Sequence, residues 1–436
     1  GLRAPAPVSG ASLAALAAAV RAGAAPAAGS VLGATGQALR LALPEARVGE
    51  RLATVEGGLV EVVGFDGGEA IALPLRPLGT VRAGLALNRV AGMPLLAAGD
   101  AMLGRVIDAL GDPIDGGPPL PTADWPLRRP PPDPLTRAPV DQPLALGVRV
   151  IDGLCTLGLG QRLALEAGPG AGKSTLLAQM AAGADVDVVV VGLIGERGRE
   201  VGDFVRRLSP VARRRTVVLV ASADAPPLAW LRGAEAATAI AERFRSEGRS
   251  VLLLLDSLTR VARAVRTVGV AAGEPTTRRG FPASLDPTLA ALIERAANDA
   301  HGRLTAVYAV LVEGQAADDP VAELARALLD GHLVLDAALA GAGRFPAVAV
   351  GESVSRCMAD VAALEHQRAA AAVRRLCAAL ARTRDLVDVG AYHRGADADT
   401  DRALDRHAAL EAFLRQGPDE DTPLAETVRR LRALAA

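Results

Sequence analysis

The chain has 436 residues, half of them hydrophobic and 22% charged, enough for two or three ordinary cores and too apolar for wholesale disorder. Its 48 basic and 49 acidic residues leave a formal charge of −1, and aromatics make up only 2%. That balance argues against a protein built to coat nucleic acid, which needs a basic surplus and stacking rings.

Residues 1–28 are rich in Ala, Pro and Gly and read as a mobile arm or one short amphipathic helix. The run 12–20 after Arg3 has the outline of a secretory signal, but it is weakly hydrophobic and Arg21 closes it. Over 29–92, short apolar or alternating runs (59–63, 70–73, 80–81) are punctuated by glycine pairs and prolines, which predicts a small all-β barrel or sandwich. The proline-dense stretch 113–134 reads as an ordered but irregular connection. Between about 144 and 350, apolar strands alternate with helical patterns, the signature of a parallel sheet covered on both faces. The expected buried strands are 162–166, 186–194, 216–221, 250–255 and 304–312, in an α/β domain spanning 93–358. Beyond 358 the strands stop, and an Ala/Arg/Leu-rich region, 359–436, reads as helical, with apolar stripes at 410–414 and 424–434. No run of 18 apolar residues goes uninterrupted by charge.

One residue type is conspicuous. Lys173 is the only lysine, which leaves 47 of the 48 basic residues as arginine. Under a codon bias toward arginine, a lysine persists most readily where a compact ammonium cannot be replaced by a planar guanidinium. Three distant cysteines, Cys155, Cys357 and Cys377, offer no disulfide framework and no CxxC metal pair, which fits a reducing compartment.

The lysine sits in Ala167-Gly168-Pro169-Gly170-Ala171-Gly172-Lys173-Ser174-Thr175, between a strand and a helical run. This is a phosphate-binding loop in its required context. Glycines let backbone N–H groups close around phosphate oxygens, and the helix N-terminus adds partial positive charge. Lys173 would reach the β- and γ-phosphates and the Ser174 hydroxyl would ligate Mg²⁺. The strict pattern asks for glycine where this chain has Ala167. A second strand closes on Asp256, 83 residues after Lys173, where a carboxylate could hold the Mg²⁺ shell through water. A third ends in Gly195-Glu196-Arg197-Gly198-Arg199-Glu200. Glu196 is the candidate base for the attacking water and Arg197 its candidate charge partner. On spacing alone, that segment could equally be a solvated charged loop.

Several phrases carry a family resemblance: Gly-Glu-Arg-Gly-Arg-Glu-Val at 195–201, Asp-Ser-Leu-Thr-Arg at 256–260, Gly-Glu-Pro-Thr-Thr-Arg-Arg-Gly-Phe-Pro at 273–282 and Leu-Asp-Gly-His-Leu-Val-Leu at 329–335. With Gly-Val-Arg-Val-Ile-Asp-Gly-Leu at 147–154 and Val-Gly-Ala-Tyr at 389–392, the chain resembles the type III protein-export ATPases over roughly 29–415. These are the flagellar and injectisome relatives of the rotary ATP synthase catalytic subunits, and in them the phosphate loop often begins with alanine. The resemblance implies a small N-terminal β-barrel, a RecA-like P-loop domain and a C-terminal helical domain. It further implies a cytoplasmic homohexamer, peripherally attached to the inner-membrane secretion apparatus, with ATP and Mg²⁺ between subunits. Implied partners are a central stalk protein, a peripheral stator protein, the export gate and chaperone–substrate complexes, with no nucleic acid. By the same likeness Glu196 matches the water-activating glutamate and Asp256 the Mg²⁺-site aspartate. Phe345, where relatives usually carry tyrosine, matches the ring that packs on adenine, and Arg356 in Ser-Val-Ser-Arg at 353–356 matches the arginine finger.

The implied task is to release chaperones and prime substrates for export, with the injectisome branch favoured over the flagellar one by 151–153, 173–177 and 260–264. A Rho-like helicase shares the core but would need basic and aromatic residues in the N-terminal domain, whose one aromatic is Phe65. An ATP synthase subunit shares it too, as does a ring that binds nucleotide and serves as a scaffold without hydrolysis. The scaffold would need a broken site, and none of the four key residues is missing. Residues 284–288 and 313–318 depart from the family's usual text, which leaves stalk and substrate coupling more open than hydrolysis.

Overall fold

The computed structural model describes residues 27–90, 92, 94–312 and 319–436, so most of the arm expected over 1–28 and the whole 313–318 stretch lie outside the described residues. Six strands, β1 (Gly29–Thr35), β2 (Ala38–Ala42), β3 (Arg51–Ala53), β4 (Leu59–Asp66), β5 (Glu69–Pro74) and β6 (Ala86–Arg89), close into a barrel in the order β1-β2-β5-β4-β3-β6. Alternate residues such as Val31, Leu41, Leu52, Val60 and Leu87 point inward and fill it, as the period of a strand requires.

The central sheet has eight strands: β7 (Val106–Asp108), β8 (Arg162–Ala167), β9 (Val188–Glu196), β10 (Thr216–Ser222), β11 (Ser250–Asp256), β12 (Arg303–Leu311), β13 (Gly331–Leu335) and β14 (Val354–Ser355). They lie in the order β14-β13-β8-β12-β11-β9-β10-β7, all parallel except the β13–β14 pair at one edge. The five strands expected from apolar runs are present, with ends differing by two residues or fewer. β9 is buried at all nine positions, as a strand with helices on both faces must be. The short strands β7, β13 and β14, at or next to the sheet's edges, carry too few apolar residues to stand out in sequence.

Helices α1 (Arg149–Leu154), α2 (Lys173–Gly183), α3 (Gly198–Arg207), α4 (Pro227–Ser246), α5 (Leu258–Ala271), α6 (Leu285–Glu294) and α7 (Pro320–Leu328) flank the sheet. Four more, α8 (Leu364–Asp388), α9 (Ala398–Asp405), α10 (His407–Leu414) and α11 (Leu424–Ala435), form the helical region.

Three arginines, Arg149 and Arg232 buried and Arg374 half-buried, fasten the three parts together. Arg232 on α4 donates through Nε to Glu61 of the barrel at 3.0 Å and through Nη1 to Glu235 at 2.9 Å. Gly64 of the barrel comes so close to the end of α5 that a Cβ would stand 3.2 Å from that of Ala272. Arg149 on α1 donates to the carbonyls of Phe413 and Arg415, where α10 ends. Arg374 on α8 donates to the carbonyls of Leu154, Val350 and Ser353 at 2.7–3.0 Å. Arg232 pairs with carboxylates, whereas Arg149 and Arg374 answer backbone carbonyls near chain ends and bends.

Candidate functional site

β8 delivers the chain into the glycine loop at the C-terminal edge of the sheet, where open α/β sheets bind ligands. Ala167 still belongs to the strand, paired with Leu311 on one side and Leu335 on the other. No left-handed backbone is needed there, so alanine serves where the strict motif has glycine. The left-handed conformations fall at Gly170 (φ 76°) and Gly172 (φ 86°), the second capping α2. The loop then presents Gly168, Pro169, Gly170, Ala171 and Gly172 ahead of Lys173, Ser174 and Thr175 in the first turn of α2.

β12 separates β8 from β11, so Asp256 stands one strand beyond the loop. Lys173 spans that gap, and its Nζ contacts both carboxylate oxygens of Asp256. Asp256 is 2% exposed, at the turn where Ser257 caps α5. Beside it, β9 ends in a bulge between Ile194 and Glu196. Gly195 takes φ 70° there, and a Cβ would lie 3.0 Å from the Arg260 side chain. The bulge shifts Glu196 out of the ladder's alternation at the sheet's edge, with Oε1 3.9 Å from Lys173 Nζ. Burial, a hydrogen bond with Glu200 and the charge of Asp256 push the Glu196 carboxyl up to about 8. That places its proton affinity near neutral, where a general base works best.

Phe345 stands at the mouth of the loop, 45% exposed, its ring edge 3.3 Å from where a Cβ on Gly172 would be. With Thr175, Gln179, Pro346, Gln416 and Pro418 it lines a cavity of about 260 Å³. Gln416 donates its backbone N–H to the Phe345 carbonyl at 2.8 Å, joining the helical region to this wall.

The fold therefore brings Gly168–Thr175, Glu196, Asp256 and Phe345 to one edge. Of the other two residues singled out by the sequence, Arg197 directly follows Glu196 but is exposed, and Arg356 lies away from this edge. Arg197 is exposed before the first turn of α3 and makes no ion pair among the described residues. Arg356 follows β14, where Ser355 pairs with Gly331 near the start of β13, whereas Leu335 at its end pairs with Ala167. Four residues of strand separate those levels, roughly 13 Å, and the chain runs on toward the opposite edge. Arg356 is exposed, likewise without an ion pair among the described residues.

Four contributors carry no clear signal in the sequence. Arg260 lies inside the quoted 256–260 phrase, and its buried Nε has no partner beside Gly195. Glu200 is legible only as one charge among several. Gln416 and Pro418 arrive from the far end of the chain, and no local pattern marks them.

For Mg²⁺ the candidate donors are two oxygen-bearing groups, the Ser174 hydroxyl, which makes no hydrogen bond among the described residues, and the Asp256 carboxylate, both of whose oxygens contact Lys173 Nζ. That set suits an ion that keeps several of its waters. No group of three or more His, Cys, Asp or Glu that could hold a metal occurs among the described residues, so no all-protein cage competes with it there.

Residues 147–355 match the ATP synthase alpha/beta family, nucleotide-binding domain, and residues 362–433 the T3SS EscN ATPase C-terminal domain. The chain is 44% identical over 407 residues to the "Type 3 secretion system ATPase" of Sinorhizobium fredii, covering 92% of this chain and 90% of that protein. The chain belongs to the type III secretion and flagellar export ATPase family. It is also 44% identical to the "Flagellum-specific ATP synthase" of Pseudomonas aeruginosa, over 86% of this chain and 84% of that one. Among solved structures it superposes on the assembled ATPase EscN from the type III secretion system of enteropathogenic E. coli with a TM-score of 0.89. That match has 39% identity and covers 94% of this chain and 100% of that one. The expected architecture of barrel, RecA-like sheet and C-terminal helices is the observed one, and membership makes the chain an ATP-hydrolysing P-loop enzyme.

Proposed function

We propose that this chain hydrolyses MgATP in a homohexameric ring to energise type III protein secretion, with each active site shared between two subunits. The carrying observation is a divided site. Lys173, Glu196 and Asp256 converge at one edge of the sheet, while Arg356 leaves from the other with no carboxylate among the described residues to neutralise it. In the proposed reaction the loop N–H groups and Lys173 hold the β- and γ-phosphates, and Phe345 packs on adenine. Ser174 and Asp256 would hold Mg²⁺, which when bound offsets charge on the phosphate oxygens. Glu196 takes the proton of the attacking water, Arg197 lends charge nearby, and Arg356 of one subunit stabilises the transition state in the next. A finger of that kind is worth ~10³–10⁵ in turnover.

Ring formation is supported by the likeness to an assembled EscN, and a central stalk partner by the likeness to EscN in complex with its central stalk EscO. A peripheral stator, the export gate and chaperone–substrate complexes complete the proposed partners, with work at the cytoplasmic face of the inner membrane. No helix among the described residues is long and apolar enough to cross a membrane. The injectisome branch is our reading and the flagellar branch the second possibility. Deleting the gene in its own cell tests both: loss of secreted non-flagellar proteins, restored by wild type and not by Lys173→Ala, is expected. Loss of motility alone would move the protein to the flagellar branch, and no export defect would overturn the reading.

A further inference from the structure

Glu166 is an oddity in β8. The strand reads Arg-Leu-Ala-Leu-Glu-Ala, and Glu166, 2% exposed, comes two residues before the glycines of the phosphate loop. A buried carboxylate is expensive unless paired, and an apolar residue in its place is often neutral or stabilising, so stability alone does not account for it. Its partner is Arg326 on α7, which grips both oxygens through Nε and Nη2 at 2.6 Å each. Two parallel charge-assisted bonds fix orientation as well as charge.

The same short segment carries Arg356. The Arg326 carbonyl accepts from Arg356 Nη2 at 3.4 Å, and the Asp330 carbonyl accepts the Arg356 backbone N–H at 3.0 Å. The Asp330 carboxylate in turn accepts the backbone N–H of Arg162, at the start of β8, at 3.0 Å. Residues 326–330 are thus clamped to both ends of the strand that feeds the phosphate loop, and they support the one arginine assigned to the neighbouring site. Because Arg326 occupies both oxygens of Glu166, that carboxylate does not draw on the charge of Arg356, which remains available to that neighbour.

We propose that Arg326, through its pair with Glu166, is a positioning residue that ties this subunit's phosphate-loop strand to the arginine it presents to the next subunit. The proposal rests on the reading of Arg356 as a finger acting across the boundary. Arg326 would touch neither nucleotide nor water; it sets where Arg356 stands.

The test uses the full chain. Glu166→Leu/Arg326→Met removes the pair without stranding a buried charge, and Arg326→Lys keeps the charge but loses the two-pronged grip. Both should lower kcat about tenfold, with KM for MgATP and binding of a fluorescent ATP analogue changed less than threefold. The decisive step mixes each variant with Lys173→Ala subunits, which are dead at their own site but have an intact Arg356 and an intact pair. Turnover should rise above that of either component alone, as it should for Arg356→Ala in the same mixture. An unchanged kcat overturns the proposal. So does a loss that mixing fails to repair while Arg356→Ala is repaired, because Arg326 would then serve its own site. If Arg356→Ala itself neither loses turnover nor is repaired by mixing, the finger reading fails, and the proposal with it.

Discussion

Glu196 owes its chemistry to the residue before it. Gly195 adopts a left-handed conformation in the bulge that ends β9, and the Arg260 side chain fills the space where a Cβ would stand. Gly195→Ala should therefore cost turnover by moving Glu196, with the fold kept, as circular dichroism would show. Glu196→Gln should leave nucleotide binding intact and lower kcat by about 10²–10⁴, the usual worth of a general base, in a steady-state ATPase assay. The sign of the pH dependence follows from burial. Glu196 must be ionised to accept a proton and its carboxyl is pushed up to about 8, so kcat/KM should climb as pH rises through that value. Glu200→Gln weakens one of the causes of the upward shift and should move the rising limb to lower pH. A limb in the ordinary carboxylate range would contradict this environment. Phe345→Ala should raise KM for ATP about 5- to 150-fold, since stacking on a base is worth ~1–3 kcal/mol, while Phe345→Tyr should bind normally.

At the scale of elements, the helices and strands that hold the site are pinned by arginines more than by their own propensities. The barrel is joined to α4 through Glu61 and Arg232, both buried, with Arg51 adding a second contact to Glu61 at 3.2 Å. Breaking such a pair strands a buried charge, so Glu61→Ala should destabilise the protein by about 3–5 kcal/mol, read from the denaturant midpoint. Much of this level was legible. Long apolar runs such as 188–194 can be little else than buried parallel strands, and a glycine loop between strand and helix with the chain's only lysine locates the phosphate end of the site. The motif residues Arg149 and Asp152 could be quoted but not explained. In the structure Arg149 grips carbonyls of the helical region, and Asp152 accepts the backbone N–H of Leu146 at 3.0 Å. The short strands β7, β13 and β14 stayed hidden because two to five residues carry no period. Gln416 and Pro418 stayed hidden because only tertiary folding brings them to Phe345.

For the whole molecule the central point is division of labour. One chain carries a phosphate loop, Glu196 and Asp256 at one edge of its sheet and Arg356 at the other, and we propose them as base, metal-site aspartate and finger. The sequence already held all four residues. What it could not show was their separation by sheet register, the feature on which the proposed sharing of sites between identical subunits rests. The family resemblance carried the arginine; without it, Arg356 would be one of 47. The most direct measurement is ATPase rate per subunit as a function of protein concentration, for wild type beside Arg356→Ala. We predict a specific activity that climbs steeply as subunits associate and falls by ~10³ or more in the variant. A rate per subunit that stays flat with concentration and is indifferent to Arg356 would contradict the shared site.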